Sequence, residues 1–276
     1  MSMFLILGAS GNLSHALQKI FPKSETVILN SVDIASWIEP GGALAAKTFL
    51  ANLNVQPKGI FNAAGIINPQ ASLDQLNMVN FVLPCNLLEA SNELEIPLYT
   101  FGSIMERDDY CRASNNYLVS KRNFKHFIDD LDIEQKISHL HFLVHTWYGV
   151  NKLPEHMFLG QIVRSLREKK IFNMTSGTQM REYHHIQDDM KVVLDLINRR
   201  EQGTIELNHG MPIELRGLAN AIFTNFNCLE LLNVDLNISS ADESRSNFYK
   251  DAYVNPGYDY RDQIEGVTEY VRELLL

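Results

Sequence analysis

The chain opens on a short apolar run that leads directly into a glycine-containing loop. Met3 to Leu7 reads MFLIL, and Gly8 and Gly11 follow within four residues. A continuous apolar run of this length is typical of a parallel strand that is covered on both faces. Because glycines end the run, we expect a tight turn there and a helix that begins near Gly11 and ends before Pro22.

Further apolar runs alternate with helical patterns in the first half of the chain. Strand-like runs occupy 26–29, 59–62, 98–101 and 140–145, and apolar residues recur at helical spacing over 80–92. Strands alternating with helices imply right-handed crossovers. The expected fold class is α/β, a Rossmann-like, doubly wound parallel sheet with a small C-terminal lobe. We assign residues 1–150, with part of 180–210, to the Rossmann domain and residues 151–276 mainly to the lobe.

Composition excludes several classes of function. The formal charge of the 276 residues is -9 and no basic run occurs, so no nucleic-acid partner is expected. No apolar stretch approaches the ~20 residues that span a bilayer, and glycine interrupts the first apolar run too early for a signal peptide. Three widely spaced cysteines, Cys85, Cys111 and Cys228, favour a reducing cytoplasm.

The loop after the first strand has the spacing of a dinucleotide site. GASGNLS carries glycines at its first and fourth positions and Ser14 at its seventh, where such loops usually hold a third glycine. A pyrophosphate needs a tight turn, a bare backbone and a helix N-terminus with free N–H groups. The expected cofactor-binding residues are Gly8, Ser10, Gly11, Asn12 and Leu13. The alternative is an ordinary strand-to-helix turn.

Two later strand ends are expected to meet the same cofactor. Asn30 stands where an acid would select NAD; it can bond a ribose hydroxyl without repelling a 2′-phosphate, so the cofactor is NAD or NADP. Asp33 either approaches the adenine or caps a helix containing Ala35 and Trp37. The small residues of the NAAG run, Asn62, Ala63, Ala64 and Gly65, let backbone lie against the cofactor, or form an ordinary loop.

A tyrosine and a lysine four residues apart supply the candidate chemistry. Tyr117 and Lys121 share one face of a probable helix, so the ammonium can approach the phenol oxygen or bond the nicotinamide ribose. Both residues are therefore also expected to bind the cofactor. A free phenol has a pKa near ~10, and a neighbouring cation favours its ionised form. We therefore expect Lys121 to lower the pKa of Tyr117 for general acid–base catalysis, with Ser103 bonding the same substrate oxygen. The alternative is a surface Tyr–Lys contact.

These motifs together resemble the extended short-chain dehydrogenase/reductases, the NAD-dependent epimerase/dehydratase family, along nearly the whole chain. The resemblance includes Asn80 on the helix after NAAG. Within the family, the chain is similar to the 4-keto-6-deoxysugar reductases of the CDP-abequose-synthase type. The matching segments are GASGNLS, NAAG, YLVSK, WYG at 147–149, REYHHIQDD at 181–189, LNHG at 207–210 and a last helix over 257–276.

The resemblance implies an NAD(P)-dependent enzyme that reduces the 4-keto group of a nucleotide-linked sugar. It implies that Arg181 binds the phosphates or the sugar of the nucleotide; the alternative is a surface salt bridge. Phe158 and Asn173 are expected to line the sugar–nucleotide cleft, although apolar packing would explain Phe158 equally well. Homodimerisation through helices that include the Tyr–Lys helix is also implied, and Leu118, Phe124 and Phe127 are compatible with it.

Departures from the family pattern reduce the number of activities that the chain can be expected to have. Sugar dehydratases carry Asp-Glu directly after the catalytic threonine, and Ser103 is not followed by such a pair, which disfavours a dehydratase. The segment 31–58 is short, so the third strand and its helix are expected to be abbreviated. The remaining alternatives are a 4-epimerase, or a non-catalytic NAD(P)-binding sensor or scaffold.

No metal site is expected from the histidines. His184 and His185 are adjacent on a probable strand and would point to opposite faces of it. His139, His141 and His145 alternate along another probable strand, so we expect them to share a partly buried sheet face.

Overall fold

Six parallel strands form the sheet that organises the first part of the chain. The computed structural model describes residues 3–68, 70–107, 115–131, 138–236 and 257–276, so Cys111 lies outside the described residues. The strands are β1 (Phe4–Leu7), β2 (Thr26–Leu29), β3 (Gly59–Asn62), β4 (Leu98–Ser103), β5 (His139–Val144) and β10 (Gly203–Glu206). Their order is β10-β5-β4-β3-β1-β2, and every pairing is parallel. The predicted parallel α/β architecture is confirmed.

The chain divides into two compact units. The first comprises Met1–Val144 with Leu194–Glu206, and the second comprises His145–Val193 with Leu207–Leu276. In the described part of the chain, no helix has both the length and the apolar character that crossing a membrane requires.

The helices of the first unit connect the strands. They are α1 (Asn12–Ile20), α2 (Ala43–Ala51), α3 (Leu73–Asn77), α4 (Leu83–Glu93) and α5 (Asn116–Asp129), and a π-helical turn (Met78–Val82) joins α3 to α4. The segment 31–58 forms turns and the nine-residue α2 and contains no strand, so the predicted abbreviation is confirmed. The alternative in which Asp33 caps a helix containing Ala35 and Trp37 was wrong, because residues 31–37 form turns.

Apolar side chains cover both faces of this sheet. Phe4, Phe21, Phe61 and Tyr99 pack together, with ring centroids 4.7 to 5.5 Å apart. The opposite face packs leucines of β1 and α4 around the buried Trp37. All four residues of β1 are buried, as the unbroken apolar run predicts.

Burial on α5 changes one expectation. Leu118 and Phe124 are 2% and 3% exposed, so they contribute to the core of the first unit and are not available to a partner. Phe127 is 37% exposed and places its ring edge-on to Phe81 at 6.3 Å.

The second unit is built from short strand pairs and helices. β6 (Thr146–Tyr148) pairs with β9 (Tyr183–His185), β7 (Phe172–Met174) with β12 (Leu232–Val234), and β8 (Met180–Arg181) with β11 (Ile213–Glu214). Its helices are α6 (Phe158–Glu168), α7 (Ile186–Asn198, which ends in the first unit), α8 (Leu215–Asn225) and α9 (Gln263–Leu275). The last helix therefore begins six residues later than the predicted 257.

Candidate active site

The strand order reverses between β2 and β3, which both pair with β1. Leu7 at the end of β1 pairs with Leu29 and with Asn62. In open parallel sheets, the crevice beyond the carboxyl ends of the strands at such a reversal is where ligands bind. The predicted cofactor residues Gly8, Asn30 and Asn62 each stand at or next to one of these strand ends.

Gly8 occupies a position that only glycine can fill without strain. Its φ is +94°, in the left-handed region, and a Cβ there would lie 2.8 Å from the carbonyl carbon and oxygen of Ala63 and from the nitrogen of Ala64. The N–H of Gly8 donates to the carbonyl of Leu29 at 3.1 Å. The GASG and NAAG segments are therefore in backbone contact, as a shared cofactor wall requires.

Helix α1 begins directly after this turn, at Asn12. Its N-cap is Gly11, and no side chain caps it, so the N–H groups of the first turn remain suited to an anion. Leu13 and Ser14 are buried, whereas Ser10 is exposed. The Ser14 hydroxyl accepts a hydrogen bond from Gln18 Nε2 at 3.2 Å, which compensates its burial.

Asn30 and Asp33 form a closed turn after β2. The Asn30 side-chain oxygen accepts from the backbone N–H of Val32 at 2.8 Å, and the carboxylate of Asp33 accepts from the N–H of Asn30 at 2.8 Å. Asp33 therefore closes this turn and does not cap a helix. Both side chains are exposed, so they remain accessible to a ribose or an adenine.

Asn80 ties the loop after β3 to the helix that carries Tyr117. Its side-chain oxygen accepts from Ile66 N at 2.9 Å, and its amide donates to Ile66 O and to Ser120 Oγ, each at 3.0 Å. Ser120 in turn donates to the carbonyl of Tyr117 at 2.8 Å. Asn80 lies in the π-helical turn, and such turns occur frequently at functional sites.

Tyr117 and Lys121 lie one turn apart on α5, as predicted. Asn115 caps this helix by accepting from the N–H of Leu118 at 2.8 Å, and Lys121 Nζ donates to the carbonyl of Phe101 at 2.8 Å. The lysine therefore anchors the helix face to the end of β4.

The electrostatics of this pair differ from the expectation. Burial, followed by the negative charge of Glu106, raises the pKa of Tyr117 well above its ordinary value. Burial lowers the pKa of Lys121, and Glu106 opposes that effect. The expectation that Lys121 brings the phenol pKa toward neutrality was therefore wrong: burial and Glu106 raise that pKa, and the phenol is protonated at neutral pH.

Ser103 ends β4 and begins a short 3-10 turn, Ile104–Glu106. Its hydroxyl accepts from the N–H of Met105 at 3.2 Å, and its own N–H donates to Glu106 Oε1 at 2.8 Å. This reciprocal arrangement is a capping box. The serine hydroxyl keeps its proton available for a donor role, since it acts only as an acceptor within the box.

Glu106 is a further candidate site residue, next to Ser103, that was not among the predicted ones. It is 1% exposed, and its second carboxylate oxygen lies 3.2 Å from His141 Nε2. The signal was present, because Ser103-Ile-Met-Glu106 has the S-x-x-E spacing of a capping box. His141 and His139 both contact Thr100 Oγ1, at 2.7 and 2.8 Å, so they share one face of β5 as predicted. His145 lies beyond the end of that strand.

The three remaining predicted substrate residues lie in the second unit. Arg181 Nη1 donates to the carbonyl of Met180 at 2.7 Å. Phe158 packs edge-on against Phe172 with centroids 5.8 Å apart, and the side-chain oxygen of Asn173 accepts from Asn233 at 2.8 Å. Each thus has a structural role within the second unit, and their contact with substrate stays a prediction.

The second unit also contains a buried histidine stack. The ring of His184 lies between those of His145 and His209, with centroids 5.2 and 4.5 Å away and interplanar angles of 19° and 29°. His184 Nδ1 lies 2.8 Å from Asp189, and Nε2 lies 3.0 Å from Glu182. His185, on the opposite face of β9, packs against Tyr148, as strand alternation predicts.

This geometry favours an imidazolium over a metal centre. Glu182, His184 and His209 bring one potential ligand atom each within 4.8 Å of one another. However, the nearly parallel rings of His184 and His209 cannot both aim an in-plane lone pair at one ion, and both nitrogens of His184 already face carboxylates.

Charge within the stack is distributed unevenly. Burial acts to lower the pKa of His184, but Asp189 and Glu182 outweigh it and raise the value to about 9. Burial acts to raise the pKa of Glu182, but the His184 hydrogen bond and the neighbouring histidines lower it to about 2. Burial, then His184, lowers the pKa of His209 to about 4. At neutral pH His184 is therefore charged and its stacked neighbour His209 is neutral.

Comparison with known proteins relates this architecture to a family. The sequence model described as the NAD dependent epimerase/dehydratase family matches residues 5–208. No curated protein sequence matches the chain.

Solved structures resemble the whole chain. A dTDP-4-dehydrorhamnose reductase from Clostridium acetobutylicum has a TM-score of 0.74 and 17% identity, covering 99% of this chain and 100% of that one. The dTDP-4-dehydrorhamnose reductase from Bacillus anthracis, in complex with NADP, has a TM-score of 0.69 and 18% identity, with 99% and 100% covered. UDP-N-acetylglucosamine 4-epimerase from Bacillus cereus has a TM-score of 0.70 and 16% identity, with 100% and 96% covered. At such identities the likeness concerns the fold.

Proposed function

Because the chain belongs to the NAD dependent epimerase/dehydratase family, we propose that it is an NAD(P)-dependent oxidoreductase that reduces the 4-keto group of a nucleotide-linked 6-deoxyhexose. The resemblance seen in the sequence is thereby confirmed at the level of the family. The observation that carries the proposed reaction is the pair on α5: a half-buried phenol, Tyr117, with Lys121 one turn away and bonded to the end of β4.

The residues at the strand-order reversal fit a dinucleotide. The positive φ of Gly8, its backbone contact with Ala63 and the uncapped start of α1 suit a pyrophosphate. Ser10, Gly11, Asn12 and Leu13 complete this loop, and Ala64 and Gly65 continue the NAAG wall. Asn30 stands where an acid would select NAD, and it bears no charge that would repel a 2′-phosphate, so we infer that NAD and NADP are both accommodated.

Each unit has a separate task in this proposal. The first holds the dinucleotide and the residues of the reaction, and the second holds the nucleotide sugar. Arg181 would bind the diphosphate, since a guanidinium matches phosphate oxygens in a bidentate manner. Phe158 and Asn173 would contact the sugar.

The division of chemical roles follows from the geometry. The cofactor, when bound, supplies the hydride that reduces the ketone carbon. Tyr117 supplies the proton that the ketone oxygen takes up, and its raised pKa means that the phenol carries this proton at neutral pH. Lys121 holds the helix to β4, and Ser103 retains a hydroxyl proton with which to orient the oxygen.

We also propose a location and an oligomeric state for the protein. We infer a cytoplasmic location from the three dispersed cysteines, and a homodimer from the family resemblance. Leu118 and Phe124 are buried in the first unit, so of these three apolar residues of α5 it is Phe127, beside Phe81, that is exposed and can contribute to such an interface.

A 4-epimerase is the second candidate, because the fold is shared with the UDP-N-acetylglucosamine 4-epimerase. An epimerase uses its cofactor in two opposite half-reactions and retains it, whereas a reductase consumes it. Tightly bound NAD that copurifies with the protein, without net oxidation of added NADPH, would favour the epimerase.

The decisive experiment measures NADH and NADPH oxidation with CDP-, dTDP-, GDP- and UDP-linked 4-keto sugars. We expect Tyr117→Phe to reduce turnover by at least about 100-fold, the contribution typical of a general acid, while cofactor affinity changes little. Tyr99→Phe is the matched control, because it removes a hydroxyl from β4 in the aromatic cluster of the same unit. Unchanged turnover in Tyr117→Phe would reject catalysis and support a sensor or scaffold.

A further inference from the structure

A chain of hydrogen bonds leads through buried polar side chains to Ser103, and the proposed reaction gives this chain no role. It starts at His139 on β5, passes through Thr100 on β4 and reaches His141. From His141 it continues to Glu106. Each of these four side chains is at most 8% exposed. Burying polar groups costs free energy unless they are paired, so the chain is a deliberate feature of the strand ends around Ser103.

The contacts within the chain orient the carboxylate of Glu106. A carboxylate accepts hydrogen bonds only, so His141 Nε2 carries the hydrogen that it donates to Glu106 Oε2 across 3.2 Å. The other ring nitrogen of His141 lies 2.7 Å from the hydroxyl of Thr100, and the same hydroxyl lies 2.8 Å from His139 Nε2. A hydroxyl can donate and accept at once, so it joins the two imidazole rings. The acid is therefore held from β4 and β5 together.

The other end of Glu106 meets the backbone of the proposed site residue. Its second carboxylate oxygen, Oε1, accepts from the N–H of Ser103 at 2.8 Å. The hydroxyl of Ser103 accepts from the N–H of Met105 at 3.2 Å, so the capping box does not use its proton. The acid thus holds the main chain of Ser103 and leaves the serine hydroxyl able to donate.

Gly102 gives Glu106 and His141 the space in which they meet. A Cβ at position 102 would lie 2.3 Å from Glu106 Oε2 and 2.5 Å from His141 Nε2. Gly102 lies within β4, and its φ is outside the left-handed region, so contact with this pair is what requires glycine there. Any side chain at position 102 would force the acid or the histidine away.

We propose that Glu106 is a positioning residue that acts through Ser103: its carboxylate, oriented by His141, holds the serine backbone so that the hydroxyl can donate to the ketone oxygen. Lys121 bonds the carbonyl of Phe101 two residues earlier, so the end of β4 is held at two backbone groups. The catalytic meaning of this inference rests on the proposed function. The hold on the backbone is measurable without any substrate.

Hydrogen exchange of the Ser103 amide, followed by NMR, tests this hold directly. In Glu106→Ala the acceptor is lost, so we expect the Ser103 N–H to exchange at least about tenfold faster than in wild type. Glu106→Gln keeps a side-chain oxygen that can accept from Ser103, so its exchange should stay within about threefold of wild type. Rescue by glutamine would show that the hydrogen bond, rather than the charge, holds the serine.

A double-mutant cycle of Glu106→Ala and Ser103→Ala tests whether the acid acts through the serine. We expect Glu106→Ala to lower kcat by about tenfold with little change in KM, because the substrate still binds while its oxygen is less well oriented. In the Ser103→Ala background the same substitution should have no further effect on kcat. Glu106→Gln should restore most of the turnover.

Gln75→Ala is the matched control, because it removes the corresponding hydrogen bond from a second capping box of the same unit. Gln75 Oε1 accepts from the N–H of Ser72 at 3.1 Å at the start of α3. This variant should leave both kcat and the exchange of Ser103 unchanged. If Glu106→Ala does not fold, Thr100→Val interrupts the chain while keeping the side-chain shape, and we expect smaller changes in the same directions. Wild-type behaviour of Thr100→Val would then overturn the inference.

The two measurements separate this inference from the proposed function. Unchanged exchange of Ser103 in folded Glu106→Ala overturns the inference, whatever the turnover. Faster exchange in a protein that reduces none of the sugars supports the hold on the serine backbone and rejects the proposed reaction. Faster exchange together with a loss of kcat that requires Ser103 supports the positioning role. A loss of kcat that persists without the serine, or no loss in an active enzyme, overturns that role.

Discussion

The side-chain amide of Asn80 donates a hydrogen bond to the hydroxyl of Ser120 across 3.0 Å and joins the π-helical turn to α5. The same side chain satisfies both backbone groups of Ile66. Since Ser120 donates to the carbonyl of Tyr117, this one asparagine links the loop after β3 to the helix that carries the phenol.

Asn80→Ala should therefore destabilise the first unit and disturb the site. The substitution leaves the N–H and C=O of Ile66 and the hydroxyl of Ser120 without this partner, and we expect a loss of about 3 kcal/mol in the free energy of unfolding. Urea denaturation measures it. Asn92→Ala, at an exposed position of α4, is the control and should change stability by less than about 0.5 kcal/mol. Equal stability of the two variants would contradict the linking role.

Gly8→Ala tests the contact between the GASG and NAAG segments. The added methyl group meets backbone atoms of Ala63 and Ala64 at 2.8 Å, so both strain and displacement are expected. Gly41→Ala is a matched control, because Gly41 has a similar φ of +80° but nothing within 4 Å of its added Cβ. We expect a cost of about 1 kcal/mol for the control and a greater cost for Gly8→Ala.

NAD(P)H fluorescence titration supplies the functional readout for the same pair. Gly8→Ala should weaken cofactor binding by at least about tenfold, because the backbone can no longer approach the pyrophosphate. Gly41→Ala should bind normally. If both variants bind the cofactor like wild type, the loop is an ordinary strand-to-helix turn.

The histidine stack makes the stability of the second unit depend on pH. The pKa of His184 is raised from 6.5 to about 9, so its contribution is fully present below about pH 6.5 and is lost as the pH rises through about 9. The contribution is on the order of 3 kcal/mol and is shared with its carboxylate partners. The pKa of Glu182 is depressed from 4.5 to about 2, so its stabilising contribution is present above about pH 4.5 and is lost as the pH falls through about 2.

Trp147 offers a local probe of this effect, because its indole N–H donates to Asp189 at 2.5 Å. In a Trp37→Phe background, its fluorescence reports urea unfolding of the second unit alone. We expect the urea concentration at the unfolding midpoint to decrease as the pH is raised from 6.5 to 9. His184→Gln should be less stable at pH 6.5 and should show a much flatter dependence. A dependence that persists in His184→Gln would assign the titration to another group.

Arg181→Lys tests the proposed phosphate contact. A lysine retains the charge but not the bidentate geometry, so KM for the nucleotide sugar should rise by about tenfold while kcat changes little. Arg199→Lys, at an exposed position that pairs with Asp195, is the control and should leave both constants unchanged. A fall in kcat with constant KM would place Arg181 in the reaction rather than in binding.

Local pattern was sufficient for much of the fold. A continuous apolar run is typical of a strand that is covered on both faces, so MFLIL predicted β1. The later runs predicted the bounds of β2 to β5 within two residues. The i, i+4 spacing of Tyr117 and Lys121 placed them on one helix face, because residues four apart are neighbours on a helix surface. The expectation for residues 35–37 failed because Asp33 bonds Asn30 within a turn instead of capping a helix.

Sequence by itself determined the strands, their alternation with helices and the common face of Tyr117 and Lys121, because these depend on period and spacing along the chain. Only the tertiary structure decided which polar side chains became partners: Glu106 with His141, Asn80 with Ser120, and His184 with two carboxylates. It also decided that Leu118 and Phe124 are buried in the core of the first unit. Pairings across 35 or 40 residues and burial arise from packing in three dimensions, which no local pattern encodes.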